Sequence, residues 1–460
     1  MKKTRSRFRK QHWIGVLRDW KRFSKNPLHS LVTIPTKALL THTLVLGATG
    51  SGKTNLLHHL IAQDIGEGNS ICILDIRGDL VSAVIEMAEG NVDPRLIRII
   101  DLRATAGVFG FDPLFGAGES YFRALNVQDV IAAESDSWGP QLAETLRNAL
   151  ILLSESREPL TKLEDLFYDP AFLDQCIAAC EQGPLAAYWE RFADMSSEKR
   201  NSLAMPVMNK ISLLLATDTL RRILGAPNPI DLGRHLDQKG SILLVSLAYD
   251  QLHSAGKMMG RMILSAICRE IFARVEIPEN RRNLVRLYVD EFEHFGFSEF
   301  EAILAEGRKY GLSLTLANQA LVQLSPRLRS LILNIVGTKF ILRCGREDAA
   351  ALSKDITGDA KALNLTELPT GTAVLWHKGF GFIEIEINEP ILRDAGARSA
   401  RGRAFEQSIY DHSLPIIQAT GERIRSKAEP SRNRENDRDK HGGVPTSSTT
   451  KPDMGDWLCD

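Results

Sequence analysis

Short apolar runs alternate along much of the chain with stretches in which apolar residues recur every three or four positions. The runs predict buried strands and the recurrences predict helices. Strands that alternate with helices indicate a mainly parallel sheet covered by helices on both faces, so the predicted fold class is α/β. The predicted strands are Thr43–Leu46, Ile71–Asp75, Leu96–Asp101, Ser241–Leu247, Leu284–Asp290, Leu312–Ala317 and Thr338–Leu342. Two more, Ala373–His377 and Phe382–Ile387, flank a glycine-containing turn and predict a hairpin.

The middle of the chain has a different texture. From about Glu119 to Leu236 the apolar residues keep helical spacing, as in Leu142, Leu146 and Leu150, and no convincing strand pattern occurs. A glycine- and proline-rich turn at residues 225–229 closes this stretch. We therefore expect an all-α subdomain at residues 116–237 that interrupts a sheet domain made of residues 29–115 and 238–395.

Both ends of the chain are polar. Residues 1–28 form a basic segment with interleaved aromatic residues, for which we favour a solvated arm over a surface that binds DNA, lipid or a partner. Residues 396–424 predict a C-terminal helical segment. Residues 425–460 are rich in charged and small polar residues and predict a disordered tail, in which Trp457 and Leu458 could form a small docking tip.

Charge and cysteine content exclude some classes of protein. Lys+Arg and Asp+Glu both number 57, so net charge gives no attraction to nucleic acid. No apolar run has the roughly 18 residues of a membrane-spanning helix, and the N-terminus does not resemble a secretory signal. Cys176 and Cys180 have no histidine at zinc-like spacing. We expect a cytoplasmic protein with reduced thiols and no integral membrane segment.

The strongest chemical signal follows the first of these strands. Residues Gly47-Ala48-Thr49-Gly50-Ser51-Gly52-Lys53-Thr54 fit the phosphate-binding pattern G-x-x-x-x-G-K-[ST] and lie between a predicted strand and a predicted helix. Glycines let the backbone curl so that its N–H groups face phosphate oxygens, at the positive end of the helix. Lys53 would bind the β- and γ-phosphates and Thr54 would offer its hydroxyl to Mg²⁺. ATP and Mg²⁺ are the predicted cofactors.

Hydrolysis also requires acids, and the strand Leu284–Asp290 ends in an adjacent pair. Asp290 would hold Mg²⁺ through water and Glu291 would polarise the attacking water. Asp75 ends another strand and could order the metal shell or Lys53, or it could cap a helix or pair with an arginine in the turn. Gln319 follows the strand Leu312–Ala317 and could sense the γ-phosphate, although a polar residue at a strand end is also an ordinary loop residue.

With these motifs the chain resembles the HerA/FtsK superfamily of P-loop motors, especially the type IV secretion coupling-protein and HerA-like branch. The resemblance covers roughly Thr41–Leu114 and Gly240–Pro390, with the motifs in the family's order. It implies a RecA-like P-loop NTPase core, and the helical insertion is similar in position to the all-α domain of coupling proteins. The matching motifs are Gly47–Thr54, Asp75–Asp79, Tyr288–Phe295, Glu306–Gly311, Asn318-Gln319 with Gln323-Leu324, and Asn334–Asp348.

The resemblance also implies partners and a further site residue. It implies a homo-oligomer, a hexameric ring, that hydrolyses ATP at subunit interfaces and threads DNA through its channel. The arginine of the family's Gly-Arg-Lys-Tyr-Gly motif reaches the nucleotide, which carries over to Arg308; its alternative is a cation at a helix C-terminus. An arginine supplied to the neighbouring subunit is harder to assign, and Arg343 and Arg346 are the candidates.

This chain departs from the family at its N-terminus, where coupling proteins carry transmembrane helices and HerA proteins a small β-barrel. A soluble motor of a mobile element, or of a defence or repair system, is therefore as plausible as conjugative transfer. A secretion channel, a nuclease or a relaxosome-type protein are possible partners. Besides an ATP-driven DNA translocase, the motifs are compatible with a nucleotide-switched assembly factor that acts on a protein. A phosphoryl-transfer enzyme ranks third, because Asp290 and Glu291 suit water as the acceptor.

Overall fold

The computed structural model describes residues 11–17, 31–35, 39–104, 107–181, 183–295, 297–392 and 399–411. Its strands form one eleven-stranded sheet. The strands are β1 Gln11–Leu17, β2 Leu31–Pro35, β3 Thr43–Leu46, β4 Ser70–Asp75, β5 Ile97–Asp101, β6 Ile242–Ser246, β7 Val285–Asp290, β8 Leu312–Asn318, β9 Thr338–Ile341, β10 Thr372–His377 and β11 Gly381–Ile387. Every strand predicted from the apolar runs is present, within two residues at either end.

The helices lie mostly between the strands in sequence, as the alternation predicts. They are α1 Lys53–Glu67, α2 Asp79–Ala88, α3 Ser120–Ala133, α4 Pro140–Glu155, α5 Leu163–Tyr168, α6 Pro170–Ala179, α7 Pro184–Ala193, α8 Ser197–Ile211, α9 Asp218–Leu224, α10 Leu232–Asp237, α11 Tyr249–Phe272, α12 Phe297–Glu306, α13 Pro326–Ile335, α14 Arg346–Thr357 and α15 Ala400–Asp411. Short 3-10 helices at Phe292–His294 and Gly307–Tyr310 adjoin β7 and β8.

The strand order is β2-β1-β11-β10-β9-β3-β8-β7-β4-β6-β5. From β9 to β5 all neighbouring strands run parallel, and from β9 to β2 they run antiparallel. The predicted α/β class with a mainly parallel sheet is confirmed, and so is the hairpin, which is formed by β10 and β11. In this order β3 is the second strand of the parallel part, between β9 and β8. The carboxyl ends of β3, β8, β7 and β4 consequently lie side by side.

The parallel part of the sheet is buried on both faces, which explains why its strands are almost continuously apolar. Successive residues of β3 point to opposite sides. Leu44 and Leu46 belong to one hydrophobic core, whereas Val45 packs with Leu56 and Leu57 of α1 in a second core on the other face. The second core packs the start of α1 against β3.

The helical region packs directly onto the sheet. Residues 116–237, as far as they are described, contain helices α3 to α10 and no strand. Trp189 is fully buried and contacts the rings of Phe167 and Phe192. These side chains belong to the same hydrophobic core as Leu74 of β4, so the insertion and this face of the sheet share one core.

The N-terminal segment differs from the expected solvated arm. Residues Gln11–Leu17 form β1, which pairs with β11 in antiparallel register, Gly15 opposite Ile387. The expectation of a solvated arm is therefore wrong for these residues. The basic and aromatic composition does not indicate a strand, because this strand forms by pairing with residues far along the chain. Of the predicted C-terminal helical segment, α15 is described; the predicted tail at 425–460, with Trp457 and Leu458, lies outside the described residues.

Packing and hydrogen bonds hold the described residues together. Their cysteines are free thiols: Cys72, Cys176, Cys180, Cys268 and Cys344. Within the described ranges, His, Cys, Asp and Glu form no group of three or more that could hold a metal ion by themselves. None of the helices in this part of the chain combines the length and the apolar character needed to cross a bilayer.

Candidate functional site

The predicted phosphate loop is fixed at the carboxyl edge of the parallel strands. The loop follows β3 directly, and α1 begins at Lys53. The Gly47 N–H donates to the carbonyl of Asn318 at 3.2 Å, and the Ala48 N–H donates to the carbonyl of Arg343 at 2.8 Å. The loop is thus anchored between the ends of β8 and β9, on both sides of its own strand.

Two glycines explain why the loop can take this shape. Gly52 has a φ of 104°, a conformation that costs other L-residues about 1–2 kcal/mol, and it caps α1. A Cβ on Gly47 would lie 2.5 Å from Oγ of Ser51, which is too close for any side chain. The positive end of α1 therefore lies directly behind a tightly curled backbone, which is the arrangement that binds a phosphate group.

The acid pair lies beside this loop. Asp290 ends β7, two strands from β3, and its Oδ1 is 3.4 Å from the ammonium nitrogen of Lys53. Glu291 follows with a left-handed φ of 51°, a backbone strain of about 1–3 kcal/mol for a residue other than glycine. This turn directs the chain from the strand into the 3-10 helix Phe292–His294.

Three side chains connect Glu291 to the rest of the site. Gln319, at the end of β8, donates from Nε2 to Oε1 of Glu291 at 2.9 Å. The hydroxyl of Thr49 in the phosphate loop donates to Oε1 of Gln319 at 3.2 Å. Nη2 of Arg77, in the turn between β4 and α2, lies 3.1 Å from the same Oε1 of Glu291. The predicted residues Thr49, Glu291 and Gln319 are therefore brought together, and Arg77 joins them.

Several acids crowd this edge of the sheet. Burial raises the pKa of Asp290 and outweighs the nearby Lys53, which lowers it, while Glu291 raises it further. Burial likewise raises the pKa of Glu293 to about 7, with Glu291 and Asp290 contributing. Such a concentration of carboxyl groups favours a bound cation. Asp290 and the exposed hydroxyl of Thr54 offer the few oxygen ligands that Mg²⁺ usually takes from a protein, so these residues fit Mg²⁺ bound together with phosphates.

Asp75 holds the adjacent turn together. Its Oδ1 accepts the N–H of Arg77 at 2.9 Å, and its Oδ2 accepts the N–H groups of Leu80 and Val81 at 2.7 and 3.1 Å. These contacts correspond to the helix-capping alternative for Asp75, because they satisfy N–H groups at the start of α2. Burial raises its pKa and the backbone N–H groups lower it. Asp75 also faces the cavity described next, so a contact with the metal shell remains a prediction.

A cavity of about 630 Å³ opens over the phosphate loop. Its lining includes Thr49, Lys53, Thr54, Asp75, Asp290, Glu291 and Gln319 of the predicted site, and also Asn55, Arg77 and Thr370. Sequence reasoning did not assign a role to these last three. Arg77 had a signal, since it follows a strand-terminal acid. The sequence gives little signal for Thr370, because its position depends on two hydrogen bonds to the phosphate loop. The Thr370 hydroxyl donates to the Gly50 carbonyl at 3.2 Å, and the Gly371 N–H donates to the Ser51 carbonyl at 2.9 Å.

Arg308 lies outside this cavity. It is an exposed residue of the 3-10 helix that precedes β8, and it does not line the cavity. A strand of seven residues spans about 20 Å, so Arg308 and the phosphate loop lie at opposite edges of the sheet. Its charge contributes to lowering the pKa of His42, which precedes β3, after the larger effect of burial. Arg308 therefore does not reach the nucleotide site of its own chain, and the expectation is corrected in that respect.

The candidates for an arginine supplied to a neighbouring subunit lie at the same edge of the sheet as the phosphate loop. Arg343 follows β9 and accepts the loop's Ala48 N–H at its carbonyl. Arg346 begins α14 and is exposed. Neither side chain lines the cavity of its own chain.

Comparisons with known proteins agree with the resemblance that the motifs predict. The family model described as "Helicase HerA, central domain" matches residues 29–134, and the model "Type IV secretion-system coupling protein DNA-binding domain" matches residues 230–380. The chain resembles HerA/FtsK-type ATPases of the coupling-protein branch. The two matched ranges carry the phosphate loop and the acid pair respectively, and they leave most of the helical insertion unmatched.

Solved structures of this kind share the fold. The bacterial conjugative coupling protein TrwBdeltaN70 aligns with a TM-score of 0.57 at 18% identity, over 80% of this chain and 89% of that one. TrwB in complex with ADP and Mg²⁺ aligns with a TM-score of 0.56 at 16% identity, over 85% and 98% of the two chains. VirB4 of Thermoanaerobacter pseudethanolicus gives 0.53 at 16%, over 82% and 96%. Among curated protein sequences none matches.

Proposed function

We propose that this chain hydrolyses ATP with Mg²⁺ and uses the energy to move DNA through a homo-oligomeric ring. The observation that carries the hydrolytic part is the convergence of Lys53, Asp290 and Glu291 at one cavity, from segments that are distant in sequence. A phosphate loop alone binds nucleotide; a carboxylate pair at the same place adds the means to activate water.

Each residue has a role that follows from its place. The loop amides and the ammonium of Lys53 bind the β- and γ-phosphates and neutralise charge that develops during the reaction. Glu291 accepts a proton from the attacking water as the water oxygen bonds to the γ-phosphorus. The bond from that phosphorus to the bridging oxygen breaks, and ADP and phosphate leave. The hydrogen bonds from Thr49 to Gln319 and from Gln319 to Glu291 support the proposed role of Gln319 in sensing the γ-phosphate.

Asp290 and Thr54 are the residues that would hold Mg²⁺. Bound there, the ion would neutralise the β- and γ-phosphate oxygens. The protein's own contribution is to keep the Asp290 carboxylate beside Lys53, where the lysine favours its ionised form against the effect of burial.

A second copy of the chain has a place in this proposal. Arg308 is exposed and held at the edge opposite the phosphate loop, since Arg282 donates to the carbonyl of Lys309 and its guanidinium lies 5.1 Å from the Tyr310 ring centroid. We propose that in a head-to-tail ring this edge of one subunit faces the nucleotide edge of the next. We therefore assign Arg308 to the nucleotide of a neighbouring subunit, where a positive group stabilises transferring phosphate.

DNA is the proposed load because residues 230–380 match a coupling-protein model whose description names DNA binding. The test is the rate of ATP hydrolysis by the purified chain at low salt, with and without double-stranded DNA. Stimulation by DNA, together with nucleotide-dependent ring formation, supports a translocase. Equal rates with and without DNA would instead favour the assembly factor that acts on a protein, and an absence of hydrolysis would contradict the ATPase itself.

A further inference from the structure

The side chain of Arg77 has an unusual position for an exposed arginine. It keeps 63% of its side-chain surface exposed, yet its Nη2 lies 3.1 Å from Oε1 of the proposed base Glu291. The same oxygen accepts the Gln319 amide at 2.9 Å. Both contacts are made to Oε1, and Glu291 itself lines the cavity over the phosphate loop.

The backbone that carries Arg77 is fixed from several directions. Its N–H donates to Asp75, and its carbonyl accepts the guanidinium of Arg103, which is itself paired with Asp250. The next residue, Gly78, has a φ of 94°, and a Cβ there would lie 2.7 Å from Oγ of Ser246 at the end of β6. The turn is therefore packed against β6, so the direction in which Arg77 leaves the backbone is set by the fold.

We propose that Arg77 is a positioning residue for Glu291: together with Gln319 it fixes Oε1, so that Oε2 is presented to the water that attacks the γ-phosphate. This inference rests on the proposed ATPase function. Glu291 needs such support because its backbone is strained and because a lone glutamate side chain has three rotatable bonds. One contact from β8 and one from the turn after β4 approach it from the two neighbouring strands of β7.

Measurements of affinity and of turnover separate this role from nucleotide binding. A ligand of the nucleotide would contribute to its affinity, whereas a residue that only orients the base contributes to the turnover rate. Loss of a contact made by an exposed arginine is worth a change in rate of up to about fivefold rather than a complete loss. Since Arg77 is exposed and outside the hydrophobic cores, its removal should leave the fold intact.

The experiment compares wild type with Arg77→Ala, Arg77→Lys and Arg95→Ala. Arg95 is a matched control, since it is 71% exposed, pairs with Asp93 and does not line the cavity. We expect Arg77→Ala to lower kcat about fivefold, with an unchanged Kd for a fluorescent ATP analogue and an unchanged Tm. Arg77→Lys should recover part of the rate because it keeps a cation, although not the planar geometry. Arg95→Ala should behave as wild type.

The possible failures can be told apart. If wild type does not hydrolyse ATP, the proposed function fails before Arg77 is tested. If wild type is active and Arg77→Ala retains its kcat, or weakens nucleotide binding with kcat unchanged, Arg77 does not position the base. A double variant adds a check: because Arg77 and Gln319 hold the same oxygen, the effects of Arg77→Ala and Gln319→Ala on kcat should not be additive. Additive effects would contradict their shared action on Glu291.

Discussion

The ammonium nitrogen of Lys53 lies 3.4 Å from Oδ1 of Asp290. The lysine begins α1 and the aspartate ends β7, and the two elements meet only because β3, β8 and β7 are successive neighbours in the sheet. A separation of the two groups would have contradicted a motor that handles phosphate and magnesium together. Their proximity makes the roles of the two motifs testable one residue at a time.

Replacement of Lys53 should act mainly on nucleotide binding. Lys53→Ala removes the positive charge that faces the phosphates and also leaves the partly buried Asp290 without its cation. We expect the affinity for ATP to fall by at least tenfold and hydrolysis to be lost. Titration with a fluorescent ATP analogue measures this directly, and unchanged affinity would remove Lys53 from the phosphate site.

Replacement of Glu291 should separate binding from hydrolysis. Glu291→Gln keeps the size of the side chain and its contact with Gln319 but cannot accept a proton from water. We expect nucleotide binding near that of wild type and a decrease in kcat of about 10²–10⁴-fold. Single-turnover measurements check the result, and turnover close to wild type would exclude Glu291 as the base.

Arg308 should act on the site of another subunit. Arg308→Ala alone should form rings and bind ATP, because the residue lies far from the cavity of its own chain, but should hydrolyse it slowly. Mixing Arg308→Ala with Glu291→Gln creates some interfaces in which a wild-type Arg308 faces a wild-type Glu291. We therefore expect the mixture to be more active than either variant alone. Activity equal to the average of the two would argue against an arginine shared between subunits.

Buried histidines should make the fold sensitive to acid. Burial, with His59 adding to it, lowers the pKa of His58 to about 4, and its buried Nε2 has no hydrogen-bond partner. Between pH 6.5 and 4 the unfolded chain therefore binds a proton that the folded chain does not. Stability is present above pH 6.5 and is lost as the pH falls through this range, by up to about 3 kcal/mol.

The variant His58→Leu tests this source of acid sensitivity. It should lose less Tm than wild type between pH 7.5 and 5, since leucine carries no titrating group. Part of the sensitivity should remain, because burial also lowers the pKa of His42 and His235 to about 4. An identical pH dependence in the variant and wild type would show that His58 does not titrate between the folded and unfolded states.

The sequence by itself determined the parts that depend on local pattern. The phosphate loop was predictable because glycines, a lysine and a threonine at fixed spacing define a backbone shape within eight consecutive residues. The parallel strands were predictable because burial on both faces makes them almost continuously apolar. Asp290 and Glu291 were predictable because an acid pair follows such a strand.

The tertiary structure decided which of these parts meet. Arg77 reaches Glu291 because β4 pairs with β7, and Arg308 is kept from its own site because it precedes β8 whereas the loop lies at the strand's other end. The sequence did not predict β1, because β1 pairs with β11, and most of the chain separates the two strands. Spacing along a sequence carries no information about strand order or about the edge at which a side chain lies, and both depend on pairings between distant segments.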